Sequence, residues 1–277
     1  MKIYLLFRPL AIATLITYLF LRNNSDARWE YDLVLFNLVA LLAALSIALS
    51  PILDDPLGRA GVVGAIITWS AGSITSSLDS FFEINTPLDL DLIAQSFYAL
   101  FYPLAIFGLT RAIRFKTVSK SLELLDTSII AIGYTTILTA LLVRPAMTTI
   151  DGSIFDVFLA ILYPVGDIVI LVLVLLLVLR QSMSWRNGLI LIGATIFFLS
   201  DFYFLYQSYL GNYEFGSLTD VGWLISFIFL SQAFWSANNE DLAARSFNSA
   251  VATIALLGSS TLLAIAVLQP SYIPRFL

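Results

Sequence analysis

The chain has 277 residues, 59% of them hydrophobic and only 12% charged, with a mean hydropathy of +0.91 and a net charge of -5. That composition excludes an ordinary water-soluble domain and points to a single all-helical, polytopic membrane domain over residues 1–277. With neither cysteine nor histidine, the sequence also excludes disulfides, thiol chemistry, the usual zinc and haem ligands, and a Ser-His-Asp mechanism. No cofactor or metal is expected.

Apolar runs predict nine spans, over residues 3–21, 31–52, 60–78, 91–111, 124–143, 155–180, 187–208, 219–237 and 247–268. The count falls to eight if the first does not cross, because Arg8-Pro9 interrupts it. That run is not expected to be a secretory signal, since no convincing small-residue cleavage site follows Leu21 and many spans come after it. Short polar breakers separate the spans, among them Ser50-Pro51, Asp54-Asp55-Pro56, Thr86-Pro87, Asp151-Gly152 and Gly211-Asn212. The segments 79–90 and 207–219 are acidic and carry no Lys or Arg.

Of the 14 basic residues, only Arg22, Arg28, Arg144 and Arg275 fall on the same side as those acidic segments. The positive-inside rule therefore places the N-terminus and the segment with Arg111, Arg114, Lys116 and Lys120 in the cytoplasm. That basic segment also suits anionic lipid or a cytoplasmic partner. A weak internal similarity links Phe97-x-Ala99-x-x-Tyr102-Pro103 with Phe158-x-Ala160-x-x-Tyr163-Pro164, which fits either duplication or chance recurrence in apolar sequence.

Few residues can carry chemistry. Asp167 lies 13 residues before Arg180 and Asp201 lies 14 after Asn187, so both carboxyls are expected roughly 20 Å from the cytoplasmic ends of antiparallel helices. Two carboxyls at one depth do not readily both ionise, which makes them a candidate ligand- or proton-responsive pair. The alternative is a structural role, with each carboxyl tied to a hydroxyl such as Tyr163, Ser200 or Tyr203. Pro164, one turn before Asp167, removes a backbone donor and is a candidate hinge. Asp126 suits the start of the span over 124–143, where the helix dipole stabilises a carboxylate. Asp220 and Trp223 suit a helix start with an interfacial anchor, or an outward-facing binding mouth with Tyr213, Glu214 and Phe215. No Walker A, dinucleotide-binding, HExxH or GxSxG pattern is present, and nothing points to nucleic acid.

The succession Leu125-Asp126, Leu162-Tyr163-Pro164-Val165-Gly166-Asp167, Leu199-Ser200-Asp201-Phe202-Tyr203 and Asp220-Val221-Gly222-Trp223-Leu224 resembles the N-terminal membrane regions of bacterial, especially actinobacterial, diguanylate cyclases and phosphodiesterases (GGDEF/EAL proteins). The likeness covers residues 61–237. It implies a sensory input module in a bacterial cytoplasmic membrane, responding to a small-molecule or lipidic ligand and passing the signal to a cytoplasmic partner. Two departures limit it. Ala71-Gly72-Ser73 stands where relatives often carry Gly-Asp, and the 277 residues hold no cyclase or phosphodiesterase domain. The expectation is therefore a non-enzymatic signal-sensing module. The second reading is a proton- or cation-coupled small-solute permease, and the third an intramembrane hydrolase in which two aspartates activate water.

Overall fold

A computed structural model describes residues 3–23, 27–52, 55–82, 88–113, 129–130, 132–133, 136, 154–180 and 184–236. Seven α-helices account for nearly all of them: α1 Phe7–Asn23, α2 Phe36–Ala48, α3 Pro56–Phe82, α4 Leu90–Ala112, α5 Ile154–Arg180, α6 Trp185–Tyr209 and α7 Leu218–Phe234. A 3-10 turn, Ile3–Leu6, leads into α1, and a π-helical turn, Glu30–Leu35, runs straight into α2. No strand occurs among the described residues. Away from water only a helix satisfies its backbone donors and acceptors within one segment, which explains the single element type.

Among the described residues, four helices are long and apolar enough to cross a membrane: Glu30–Ala48, Pro56–Phe82, Leu90–Ala112 and Trp185–Ser208. Leu162–Val178 and Thr219–Phe234 form shorter apolar stretches. The expected boundaries fall within a few residues of the observed ones wherever both exist. The expected span over 247–268 lies outside the described residues, and so does most of 124–143. Both Pro103 and Pro164, the matching prolines of the internal similarity, lie inside helices.

The chain divides into two compact units, Met1–Ile113 with Ser184–Asn239, and Arg114–Met183 with Glu240–Leu277. In the second, α5 is apolar nearly all round its circumference, as suits a helix with no face turned to water. The first unit holds the other six helices. Its tightest seam joins α3 to α4: a Cβ added at Gly61 would lie 2.7 Å from the Gly108 Cα, and one at Gly58 would lie 2.8 Å from the Arg111 Cβ. Small residues let two backbones approach where apolar solvent gives little drive for helix association, so packing supplies the attraction.

Each end of this unit is fixed by side chains that complete the backbone hydrogen bonds of a helix start. Asp55 Oδ1 accepts from Leu57 N (3.0 Å) and Gly58 N (3.1 Å), and Pro56 occupies the first helical position, where its missing N–H costs nothing. The Arg111 guanidinium at the end of α4 reaches Asp55 Oδ2 at 3.0 Å, tying the start of α3 to the end of α4. Asp89 caps α4 through Leu92 N, and Ser184 caps α6 through Asn187 N. At the same end as Asp55, Ser50 Oγ donates to Phe234 O (2.6 Å), and the Arg8 and Arg186 guanidiniums lie over the Trp235 and Phe234 rings. These cations sit at the C-terminus of α7, where the helix dipole favours positive charge.

The glycine seam gives a direct test. Gly108→Val forces a side chain into the backbone of Gly61 and Val62 and should destabilise the folded protein by about 1–3 kcal/mol. Gly64→Ala, whose added Cβ meets only Leu104 at 3.4 Å, should be close to neutral in the same unfolding titration in detergent micelles.

Candidate functional site

The core of the first unit is built around Trp69 on α3, 4% exposed. Its indole meets Phe36 of α2 at 5.8 Å, Tyr98 of α4 at 6.2 Å, and Trp223 and Phe227 of α7 at 5.5 and 4.9 Å between ring centroids. The Phe227 and Trp223 contacts are edge-on, the geometry that ring quadrupoles favour. Trp223 continues the layer to Phe204 of α6 (5.5 Å), and Phe204 to Tyr213 (4.8 Å) in the connection between α6 and α7. Trp223 also donates its Nε1–H to Asp201 Oδ1 at 2.5 Å. A half-buried carboxylate is thus held at the edge of an aromatic layer by the one polar atom an indole carries.

Two more carboxylates, both buried, lie at the end of the unit nearer this layer. Asp220 is the third residue of α7 and turns back on the connection that precedes it. Its Oδ1 accepts from Tyr213 Oη (3.0 Å) and Thr219 Oγ1 (3.2 Å), and its Oδ2 from Gly216 N (2.6 Å). A carboxylate in the first turn that caps upstream backbone is the logic of a capping box, here reaching one residue further back. Burial first, and then the Asp220 charge, push the Tyr213 phenol well above its ordinary pKa, so it stays a donor at any physiological pH.

Asp32 does the same for the start of the π-helical turn. Its Oδ2 accepts from Arg28 N (3.1 Å), while its Oδ1 takes Tyr18 Oη (3.2 Å) and the Arg22 Nε (3.2 Å) from α1. The same guanidinium donates from Nη2 to Phe215 O. Arg22 therefore ties α1 both to the start of α2 and to the α6–α7 connection. Gly216, with φ +76°, makes room for it, since a Cβ there would run into the guanidinium. Phe215 completes the closure by packing on Phe81 of α3 at 5.1 Å.

The expected site residues separate accordingly. Asp201, Trp223 and Asp220 fall in this one region of the first unit. Trp223, half-buried, packs on Trp69 and donates to Asp201. The exposed indoles are Trp29 (44%) and Trp185 (76%). Tyr203 is 39% exposed and accepts from Gln207 Nε2 through its own hydroxyl at 2.8 Å. Two residues on from Asp201 it lies about 200° round the helix, so the two side chains cannot share a face. Asp167 is buried, 2% exposed, in the second unit on α5, and Tyr163 four residues earlier shares its helix face. Pro164 is interior to α5. Asp126 lies outside the described residues.

Sequence reasoning missed Asp32, Arg22 and Tyr18. A signal was present: Tyr18 and Arg22 are spaced for one face of α1, and Asp32 opens an apolar run where a lone carboxylate needs a partner. Among the described residues no group of three His, Cys, Asp or Glu side chains is placed to hold a metal ion.

Fold and site together define a helical membrane protein that gathers buried Asp32 and Asp220 and half-buried Asp201 at one end of the first unit. No family model, curated protein or solved structure matches the chain, so its reading rests on its own residues.

The Asp201–Trp223 bond makes a quantitative prediction. In a double-mutant cycle of Asp201→Asn and Trp223→Phe, followed by unfolding in micelles, the two changes should be non-additive by about 1 kcal/mol or more, as for a hydrogen bond to a charged group.

Proposed function

We propose that the chain is a signal-receiving module of a bacterial cytoplasmic membrane, and that Asp201 at the aromatic layer is its responsive centre. The observation that carries this reading is the Asp201–Trp223 contact: a carboxylate bound to an indole that itself packs on the central Trp69. Any event that changes the charge or hydrogen bonding of Asp201 acts directly on Trp223, and through it on α3 and α7. To shift a population of helix arrangements, that event must differ in free energy between them. Asp201 supplies such a difference, because its bond to Trp223 exists in one arrangement and its charge is costly in any arrangement that leaves it unpaired. Asp167 on α5 is a second carboxylate of the same kind in the other unit, and its role on this reading is to respond in parallel.

On this reading the Asp55–Arg111 end faces the cytoplasm, where it would meet a signalling partner, and the Asp220 end faces outward. The module carries no chemistry of its own. Its output is a change in helix packing.

The proton is the simplest probe, because every carboxylate takes it. In proteoliposomes, acidification should change the tryptophan emission of the wild-type protein, and Asp201→Asn should remove a large part of that change. Asp167→Asn should remove a smaller part. An unchanged emission in the wild type removes Asp201 as a responsive centre. Proton flux into dye-loaded vesicles above that of protein-free vesicles, lost in Asp201→Asn, would replace the sensor by the coupled permease.

A further inference from the structure

The connection between α6 and α7 is built unlike an ordinary helical turn. It begins and ends at glycines in the left-handed region, Gly211 at φ +68° and Gly216 at φ +76°. Only the first has open space around it: a Cβ on Gly211 would meet nothing within 4 Å. Between them, Asn212-Tyr213-Glu214-Phe215 turns its two rings inward, Tyr213 onto Phe204 and Phe215 onto Phe81. Phe204 in turn lies on Trp223, the donor to Asp201. The connection thus stands over the aromatic layer that carries Asp201.

Beside these ring contacts, its polar ties to the surrounding helices are few. Tyr213 Oη and Gly216 N bond to Asp220, which belongs to α7 and would stay with that helix. The tie to α1 is the Arg22 Nη2 bond to Phe215 O, and that guanidinium is itself held by Asp32 across a 3.2 Å ion pair. A short segment between two glycine pivots, packed by two rings and fastened at its far end by one cation, has the parts of a hinged cover.

We propose that segment 210–217 is a lid over the Trp223–Asp201 site, pivoting at Gly211 and Gly216 and latched shut by Arg22. Lifting it breaks the Arg22–Phe215 and Tyr213–Asp220 bonds, takes Tyr213 off Phe204, and opens the aromatic layer to water. Closing it returns Phe215 to Phe81 and Tyr213 to Phe204, covering the ring that packs on Trp223. The lid deepens the sensory reading and rests on it, since it controls the aromatic layer that holds Trp223 against Asp201, but its movement does not depend on any ligand.

The absence of native cysteine makes the test clean. Ser77, 3% exposed on α3, lies one turn below Phe81 and forms no hydrogen bond of the latch, so Ser77→Cys introduces a near-isosteric thiol beneath the lid. Ala44, 2% exposed towards the other end of α2, supplies a control thiol through Ala44→Cys. Both single-cysteine proteins are purified in micelles at pH 7 and reacted with a water-soluble maleimide, with and without Arg22→Gln. Arg22→Gln should speed labelling of the Ser77→Cys thiol about tenfold, the effect of losing one charge-assisted hydrogen bond, and leave the Ala44→Cys thiol unchanged. Equal rates at Ser77→Cys with and without the latch overturn the proposal. So does a parallel rise at both positions, which would make Arg22 a general tie of the bundle. If Arg22→Gln does not fold, Tyr213→Phe takes its place with the same expectation, because it keeps the ring on Phe204 and removes only the Asp220 bond. The same labelling in Asp201→Asn separates the two ideas: an unaltered lid there, beside a lost emission response, leaves the lid standing whatever the site beneath it binds.

Discussion

A carboxylate inside an apolar helix bundle has to find its donors within the protein, because no water is there to supply them. Most of what is particular to this chain follows from how it meets that requirement. Asp55 takes two backbone amides and Arg111, Asp32 takes an amide, a phenol and Arg22, Asp220 takes an amide, a phenol and a hydroxyl, and Asp201 takes an indole. Three of the four sit at helix starts, where unpaired N–H groups are available and the dipole favours negative charge. Asp201 is the exception. It lies inside α6, beyond the reach of any free backbone amide, and depends on a side chain from another helix.

That difference separates structural carboxylates from a candidate responsive one. A capping aspartate is fixed by its own segment and changes only if the helix start unravels. Asp201 is held by Trp223, so that bond reports the distance between α6 and α7, and the indole carries any change on to Trp69 and the three other rings around it. The two ends of the unit differ in the same way. The Asp55–Arg111 end is closed by a glycine seam and a short ion pair between adjacent helices. The opposite end is closed by a glycine-flanked connection that packs two rings on the bundle and meets α1 through the Arg22 guanidinium.

The aromatic residues set the shape of the region as firmly as the charges do. Trp69 draws α2, α3, α4 and α7 to one point, and the layer continues through Trp223 and Phe204 to Tyr213. Rings of this size bury large areas without adding polar atoms, apart from the indole N–H and phenol O–H that they hand to Asp201 and Asp220. The exposed tryptophans, Trp29 and Trp185, lie on other elements and are free to meet lipid headgroups.

The sequence by itself determined the helical class, the membrane setting and the approximate limits of the helices, because apolar runs of bilayer length allow only one way to satisfy the backbone. It also singled out Asp201 and Asp220, since a charge in apolar sequence is costly wherever it falls. It did not reveal that Trp223 is the partner of Asp201, that Tyr203 turns away from it, or that Arg22 reaches both Asp32 and Phe215. Those facts depend on which helices lie side by side and how each is rotated about its axis, and hydropathy is nearly silent on rotation when a helix is apolar on every face. Asp32 shows the limit well: as the second residue of the span expected over 31–52 it drew no attention, and only the packing of α1 beside it made it a buried ion pair. The tertiary structure decided the contacts because they join residues as many as 193 positions apart, a separation over which no local pattern carries information.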